Sequence, residues 1–509
     1  MEDIDLTNLN ANSLIDMSNM FNNCSSLVDI DLSNLNLNNL INISNMFNNC
    51  LRLRSINLSN FNANNLINMS HMFNHCSSLN TIISSNIKIE NVTNMSNLFN
   101  QNYSLSSINL EDFNCIKIED MSFMFNECKS LKDIDLSHFK SQNIINMSNL
   151  FSECESLLSF KLPKFDTSNL INISYMFYKC NSLKSIDLSD LKTNNVTNMS
   201  YLFSECKSLN SFNLSSFDTK KVLYMNNMFS ECESLTSINL SNFYTDDLNN
   251  MSFMFSGCKS LESINLSKFE TSQVTNMSYL FNKCKSLISV DLSNFNANKV
   301  IDMSYMFNEC KLLDTINLSN FYTNSLMNAG HMFSYCTSLK SINLTNFQTS
   351  NIINMFFMFT FCELLEEIDL LSFNNKDKSK MLYMFNGCKS LKLIKLSSLS
   401  FDDGKFTDLI FKNIQEDCKI IFKDKTLLKN EILKTDLFNM NNNNNSILPL
   451  NFDHYEKMKQ LNNNEYSELK KKGIQIPIIN SKKINFIIYY SNYIRRKCCW
   501  KNMLTWSVS

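Results

Sequence analysis

The chain has 509 residues, with 46 Lys plus Arg against 48 Asp plus Glu, a formal charge of -2, 5 Gly and 3 Pro. That balance excludes a general nucleic-acid binder, which needs a basic face, and the scarcity of Gly and Pro excludes collagen-like and Pro-rich chains. The best apolar run, Ile484 to Tyr490, is interrupted by Asn485 and is far shorter than the roughly 18 residues of a spanning helix, so no transmembrane segment is expected.

The N-terminus, Met1-Glu-Asp-Ile-Asp-Leu, has neither a basic start nor a long apolar run, so no secretory signal is visible. Ile4, Asp5, Leu6 and Thr7 match Ile30, Asp31, Leu32 and Ser33 one period later. The sequence therefore opens halfway through a repeat, either capped by a few residues or cut from a longer protein.

From Cys24 onward one residue marks a constant interval of 26. Cys50 and Cys76 follow, then Cys128 and every twenty-sixth residue to Cys388, with Asn102 in the single missing slot. Fifteen registers without insertion or deletion predict a solenoid, in which each unit buries its apolar face against its neighbours.

Apolar residues recur three, six and eight places after each register position, as in Leu131, Ile134 and Leu136. The last two are spaced for one face of a short strand. Parallel stacking of such strands gives a ladder of roughly 70 Å at the usual inter-strand spacing. Ser at plus 9 and Phe at plus 11, as in Phe217 and Phe243, predict a turn off the strand with a ring plugging the corner.

The return segment, such as Val196, Met199, Leu202, Phe203 and Cys206, follows the spacing of a helical face. It predicts a short helix or 3₁₀ turns on the outer side of each coil. The Met and Phe stripe reads as core, with Met filling irregular gaps. The expected architecture is thus an α/β solenoid, a right-handed superhelix with parallel strands on one face and short helical or 3₁₀ turns on the other, over residues 1–400.

Residues Asn198-Met-Ser-Tyr-Leu-Phe203-Ser-Glu-Cys206-Lys-Ser-Leu209 resemble the BspA-type leucine-rich repeats. More closely they resemble the mycoplasma-type surface or lipoprotein repeat of unknown function. The resemblance covers about residues 1 to 400. It implies a curved leucine-rich-repeat solenoid and a binding role, since many such proteins are cell-surface proteins and some adhere to host proteins. It also implies a surface location, whereas the missing signal points to a cytoplasmic one.

The 18 cysteines admit three readings: buried thiols, some disulfides, or metal ligands. Each ladder cysteine continues the apolar face, which favours a buried thiol. Asn102 leaves three ladder cysteines before it and eleven after it, so neither block can pair internally without a leftover. A straight stack of thiols lacks the tetrahedral clustering that zinc requires. His71 and His75 are four apart but lack the Glu of a zinc-protease pattern. No metal and no cofactor are expected.

Between the buried strand positions lie outward-facing ones. The plus 7 position is Asp or Asn in twelve of fifteen registers, and plus 5 is mostly Ser. Asp135, Asp187, Asn213, Asn239, Asn265, Asp291 and Asn317 are therefore the candidate contact residues of a flat, polar, concave face. The stripe serves either as a hydrogen-bond ladder between coils or as a contact surface for a protein or glycan ligand. Its carboxylates are a rung or more apart, so no catalytic dyad is specified. Recurrent Asn-x-Ser or Asn-x-Thr strings, such as Asn68-Met-Ser and Asn213-Leu-Ser, read as by-products of the repeat.

The repeats loosen near Ala329-Gly330 and Asn374 to Lys380. Residues 401–438 read as a C-terminal cap of mixed strand and helix, including Cys418-Lys-Ile-Ile-Phe-Lys. Residues 439–509, opening on the tract Asn441 to Asn445 and carrying Trp500 and Trp506, read as a polar, Lys-rich, unstructured tail. The sequence thus predicts a monomeric, non-enzymatic binding or adhesion protein, with an intracellular adaptor as the alternative.

Overall fold

The computed structural model describes residues 4, 6, 9, 11–33, 35–373, 378–396, 409–415, 418–422 and 447–449. The chain divides into two units, Met1–Pro449 and Leu450–Ser509. The tract Asn441 to Asn445 and the tail with its two Trp lie outside the described residues.

The first unit is a parallel β-solenoid. Short strands β1 (Asp29–Asp31), β2 (Ser55–Asn57) and β3 (Thr81–Ile83) pair in parallel with a shift of 26 residues, Ile30 beside Ile56 beside Ile82. The same register joins β4 (Ser159–Lys161) to β5 (Ser185–Asp187), and β6 (Thr315–Asn317) to β7 (Ser341–Asn343). It also joins β8 (Glu367–Leu370), β9 (Leu393–Leu396) and β10 (Lys419–Phe422). Strand β11 (Ile447–Pro449) adds antiparallel to β10. The register thus runs on beyond residue 400, because Phe411 and β10 fall 26 residues after Phe385 and β9.

The return segment corrects the helical expectation. Among the described residues the only 3₁₀ segment of any length is Lys378–Met381, in a loosened repeat. Apart from Leu409 and Ile410, which are helical, the described return elsewhere is a chain of turns that pairs with the next coil. The N–H groups of Met199, Tyr201, Phe203 and Glu205 donate to the carbonyls of Tyr224, Asn226, Met228 and Ser230 at 2.7–3.0 Å. Between them, Leu202, Ser204 and Cys206 close turns onto Met199, Tyr201 and Phe203.

The cause is the backbone. Tyr201 and Glu205 sit at φ of 59° and 61°, and the same left-handed positions recur through the coils. A left-handed residue every fourth position cannot belong to an α-helix. Three-residue turns reproduce the apolar spacing of a helix while sending alternate N–H groups to the neighbouring coil. This return ladder is unbroken from Asp16 to Asn354, whereas the strand ladder is interrupted.

Position minus 3 forms the spine of the core. Sixteen rings from Phe21 to Phe411 stack face to face, 5.3–5.9 Å apart and within 19° of parallel. The corner rings at plus 11 stack too, as in Phe217 on Phe243 at 6.3 Å and Phe243 on Phe269 at 6.2 Å. Rings of this size dominate the buried area, and offset stacking adds to it. At minus 5, Phe253, Tyr279, Tyr305, His331, Phe357 and Tyr383 make a half-buried outer stack at 4.3–5.0 Å.

Candidate functional site

The strand face carries the candidate contact residues. Six of the seven are exposed and Asp187 is half-buried. Asp187 lies on β5 and Asn317 on β6, while Asn239 and Asn265 pair as an isolated parallel bridge. Asp135, Asn213 and Asp291 occupy the same register outside the named strands. They form one column because the register never slips.

Each of the seven does a local job. Its Oδ1 accepts the N–H of the residue two places on: Ser137, Ser189, Ser215, Ser241, Ser267, Ser293 and Ser319, at 2.7–3.3 Å. This is an Asx turn, which bends the chain off the strand at the Ser-rich corner. The hydroxyl and then the N–H of Ser137 hold the Asp135 carboxyl below its usual range, and Ser189 does the same for Asp187. For Asp291 the N–H of Ser293 leads. One oxygen of each group is thus committed to the turn. The other carboxylate oxygen or the amide nitrogen remains for contact, and Asp187 Oδ2 lies 3.8 Å from Lys161 Nζ.

The ladder cysteines are free thiols. Thirteen of them, from Cys50 to Cys388, place Sγ 3.0–3.2 Å from the carbonyl of the Phe 29 residues earlier, in the preceding coil. Burial pushes the Cys128 and Cys388 thiols up to about 12, and Cys154 through Cys362 also go up. Such thiols are poor nucleophiles and poor ligands, since the thiolate is the reactive form. Among the described residues no three His, Cys, Asp or Glu side chains gather in a way that could hold a metal. His71 and His75 do not converge on a metal: His75 Nδ1 lies 2.7 Å from Asn49 Oδ1, and burial lowers the His71 pKa. No helix among the described residues is long and apolar enough to cross a membrane.

Several exposed or polar columns escaped the sequence reading. Buried threonines at plus 13 bridge coils: Thr193 Oγ1 accepts the N–H of Asp218 at 2.7 Å and donates to its carbonyl at 2.8 Å. Asn22, Asn48, Asn74, Asn100 and Asn126 form an amide ladder at minus 2, with steps of 2.6–3.1 Å. Aliphatic residues at minus 9, beginning with Ile15, Ile41 and Ile67, stand exposed one above another. Tabulating each of the 26 positions by column, polar ones included, would have brought all three out.

A stack of short parallel strands with a 26-residue coil, a leucine at each strand entry and one at every strand exit but Ser84, defines a leucine-rich-repeat-type solenoid. The chain belongs to the family described as Mycoplasma protein of unknown function, DUF285, which matches residues 1–107, 42–159, 84–185, 158–263, 234–343 and 314–419. That bears out the resemblance read from the repeat. No curated protein matches the chain. Among solved structures, a leucine-rich repeat protein from Bacteroides ovatus ATCC 8483 is 19% identical, with 81% of this chain and 88% of that one covered and a TM-score of 0.45. A leucine rich cell surface protein from Faecalibacterium prausnitzii A2-165 is 16% identical over 79% and 85%, with a TM-score of 0.28.

Proposed function

We propose that this array is a non-enzymatic interaction scaffold, associated with a cell surface, whose strand face binds a protein or a glycan. The carrying observation is the exposed plus 5 and plus 7 stripe of Ser, Asp and Asn, held in one register by the coil. Repeat packing occupies the apolar positions and leaves this stripe as an extended polar surface. No described coil brings a nucleophile, a base and an orienting group together, which supports binding rather than catalysis. The resemblance of the repeats to mycoplasma-type surface or lipoprotein repeats supports the location.

The Asx side chains cap turns, so they are poor test positions: replacing them changes fold and face together. Ser185, Ser211 and Ser237 are exposed neighbours at plus 5 in three consecutive coils. Replacing all three by Lys should weaken binding to a ligand found by glycan array or surface display by about tenfold or more, through steric block and charge. Unchanged affinity, with the fold intact by circular dichroism, would place the contact elsewhere.

A second reading is favoured by one observation. A run of free thiols from Cys128 to Cys388, each donating to a carbonyl, suits a reducing compartment and hence an intracellular adaptor. Fractionation of tagged protein in its native cell distinguishes the two.

A further inference from the structure

The minus 9 column lies on the return ladder, not on the strand face. Its backbone is saturated: Ile41 N–H donates to Ile15 O at 2.8 Å, Ile67 to Ile41 at 2.9 Å, and so on to Ile353 on Met327 at 2.8 Å. Strand addition by a partner is therefore closed off, and only side chains can make contact here. Those side chains are aliphatic in many coils, with the exposed ones 37–58% accessible. At the first three rungs they form one wall of an open groove, whose other wall is Ser13, Asn39 and Asn65 at minus 11.

Read along the column, the pattern is nearly the same in both directions. Reversing it about its midpoint, between Ile171 and Thr197, sets Ile15 against Ile353, Ile41 against Met327 and Ile67 against Ile301. Continuing inward, Thr93 meets Thr275, Glu119 meets Asn249 and Ile145 meets Leu223. Apolar thus meets apolar and polar meets polar at all but the central pair. The minus 11 column agrees. Over the same fourteen coils its single acidic residue, Asp247, falls opposite Lys117 under the same reversal. Both are exposed, and neither makes an ion pair among the described residues.

We propose that this face binds a second copy of the chain, antiparallel, about a two-fold axis between the rungs of Ile171 and Thr197. A two-fold contact must be self-complementary, each residue meeting its reversed counterpart, and the column has that property. A parallel pairing would set Glu119 against Glu119, whereas the antiparallel one sets it against Asn249 and creates two Lys117–Asp247 pairs. The proposal departs from the monomer expected from the sequence. It is independent of the strand-face reading, since the columns differ.

Sedimentation of the full chain over a range of concentrations should show the mass doubling. Met327→Asp should return it to the single-chain mass with unchanged circular dichroism, because the side chain is exposed. Lys117→Asp or Asp247→Lys alone should weaken the dimer about tenfold, and the two together should restore it. A mixture of Ile41→Cys and Met327→Cys chains should cross-link on oxidation, while Ile41→Cys alone should not. A single-chain mass at every concentration would overturn the proposal. So would a dimer indifferent to both charge reversals, or cross-linking of Ile41→Cys to itself.

Discussion

The side-chain amide of Asn102 donates to the carbonyl of Phe73 at 2.9 Å, the bond that the Cys128 thiol makes to Phe99 at 3.1 Å. The one break in the cysteine ladder is therefore no break in its hydrogen bonding. What the position requires is a small buried donor one coil above a phenylalanine carbonyl. Asn102 meets that need and brings an extra cost, because its Oδ1 is buried without a partner.

Asn102→Cys should accordingly stabilise the protein. It keeps the donor and removes an unsatisfied acceptor, whose burial costs about 1 to 3 kcal/mol. Urea denaturation would measure the gain. A loss of stability would mean that the amide has a role the thiol cannot fill.

Alkaline pH should unfold the protein through the same ladder. A thiol raised from an ordinary 9.0 to about 12, as at Cys128, stays protonated in the fold while the unfolded chain ionises. Its contribution is fully present below pH 9 and is lost as pH rises from there towards 12. Within that window each such thiol costs about 1.4 kcal/mol per pH unit, and many act together. The melting temperature should fall steeply above pH 9, and ladder thiols should resist alkylation at pH 8 until denaturant is added. Rapid labelling of most of them in the folded protein would remove the claim.

Phe203→Ala should destabilise the solenoid by about 3 to 5 kcal/mol, the usual effect of emptying a buried aromatic site. The ring is fully buried and stacks on Phe177 and Phe229 at 5.8 Å each. Chemical denaturation that shows less than about 1 kcal/mol would mean the stack relaxes around the gap.

Thr193→Val should cost about 1 to 3 kcal/mol although it conserves shape. It removes the partner of both the N–H and the carbonyl of Asp218, two bonds at a part-buried position. The neighbouring Thr219 makes the corresponding bond to the carbonyl of Tyr244. A near-neutral Thr193→Val, read by thermal melting, would show that the backbone pairing Ala63 makes at the same plus 13 position, its N–H donating to the carbonyl of Lys88 at 3.0 Å, is accessible here too.

The sequence by itself determined the solenoid, its 26-residue register, the buried Phe and Leu positions and the thiol ladder. Apolar spacing repeated without a slip leaves one way to bury every copy, and Ile30, Ile56 and Ile82 stack as that spacing demands. The tertiary structure alone decided how the return segment is built. The intervals Met199, Leu202, Phe203 and Cys206 fit a helix and a series of tight turns equally well. The choice rests on Tyr201 and Glu205 adopting left-handed φ, which their residue types do not announce. The structure also decided that Asp135 and its column mates serve as turn caps before they serve as a surface. Whether an Asx oxygen reaches its own backbone or the solvent depends on the local bend, and the bend depends on neighbouring coils holding the corner in place.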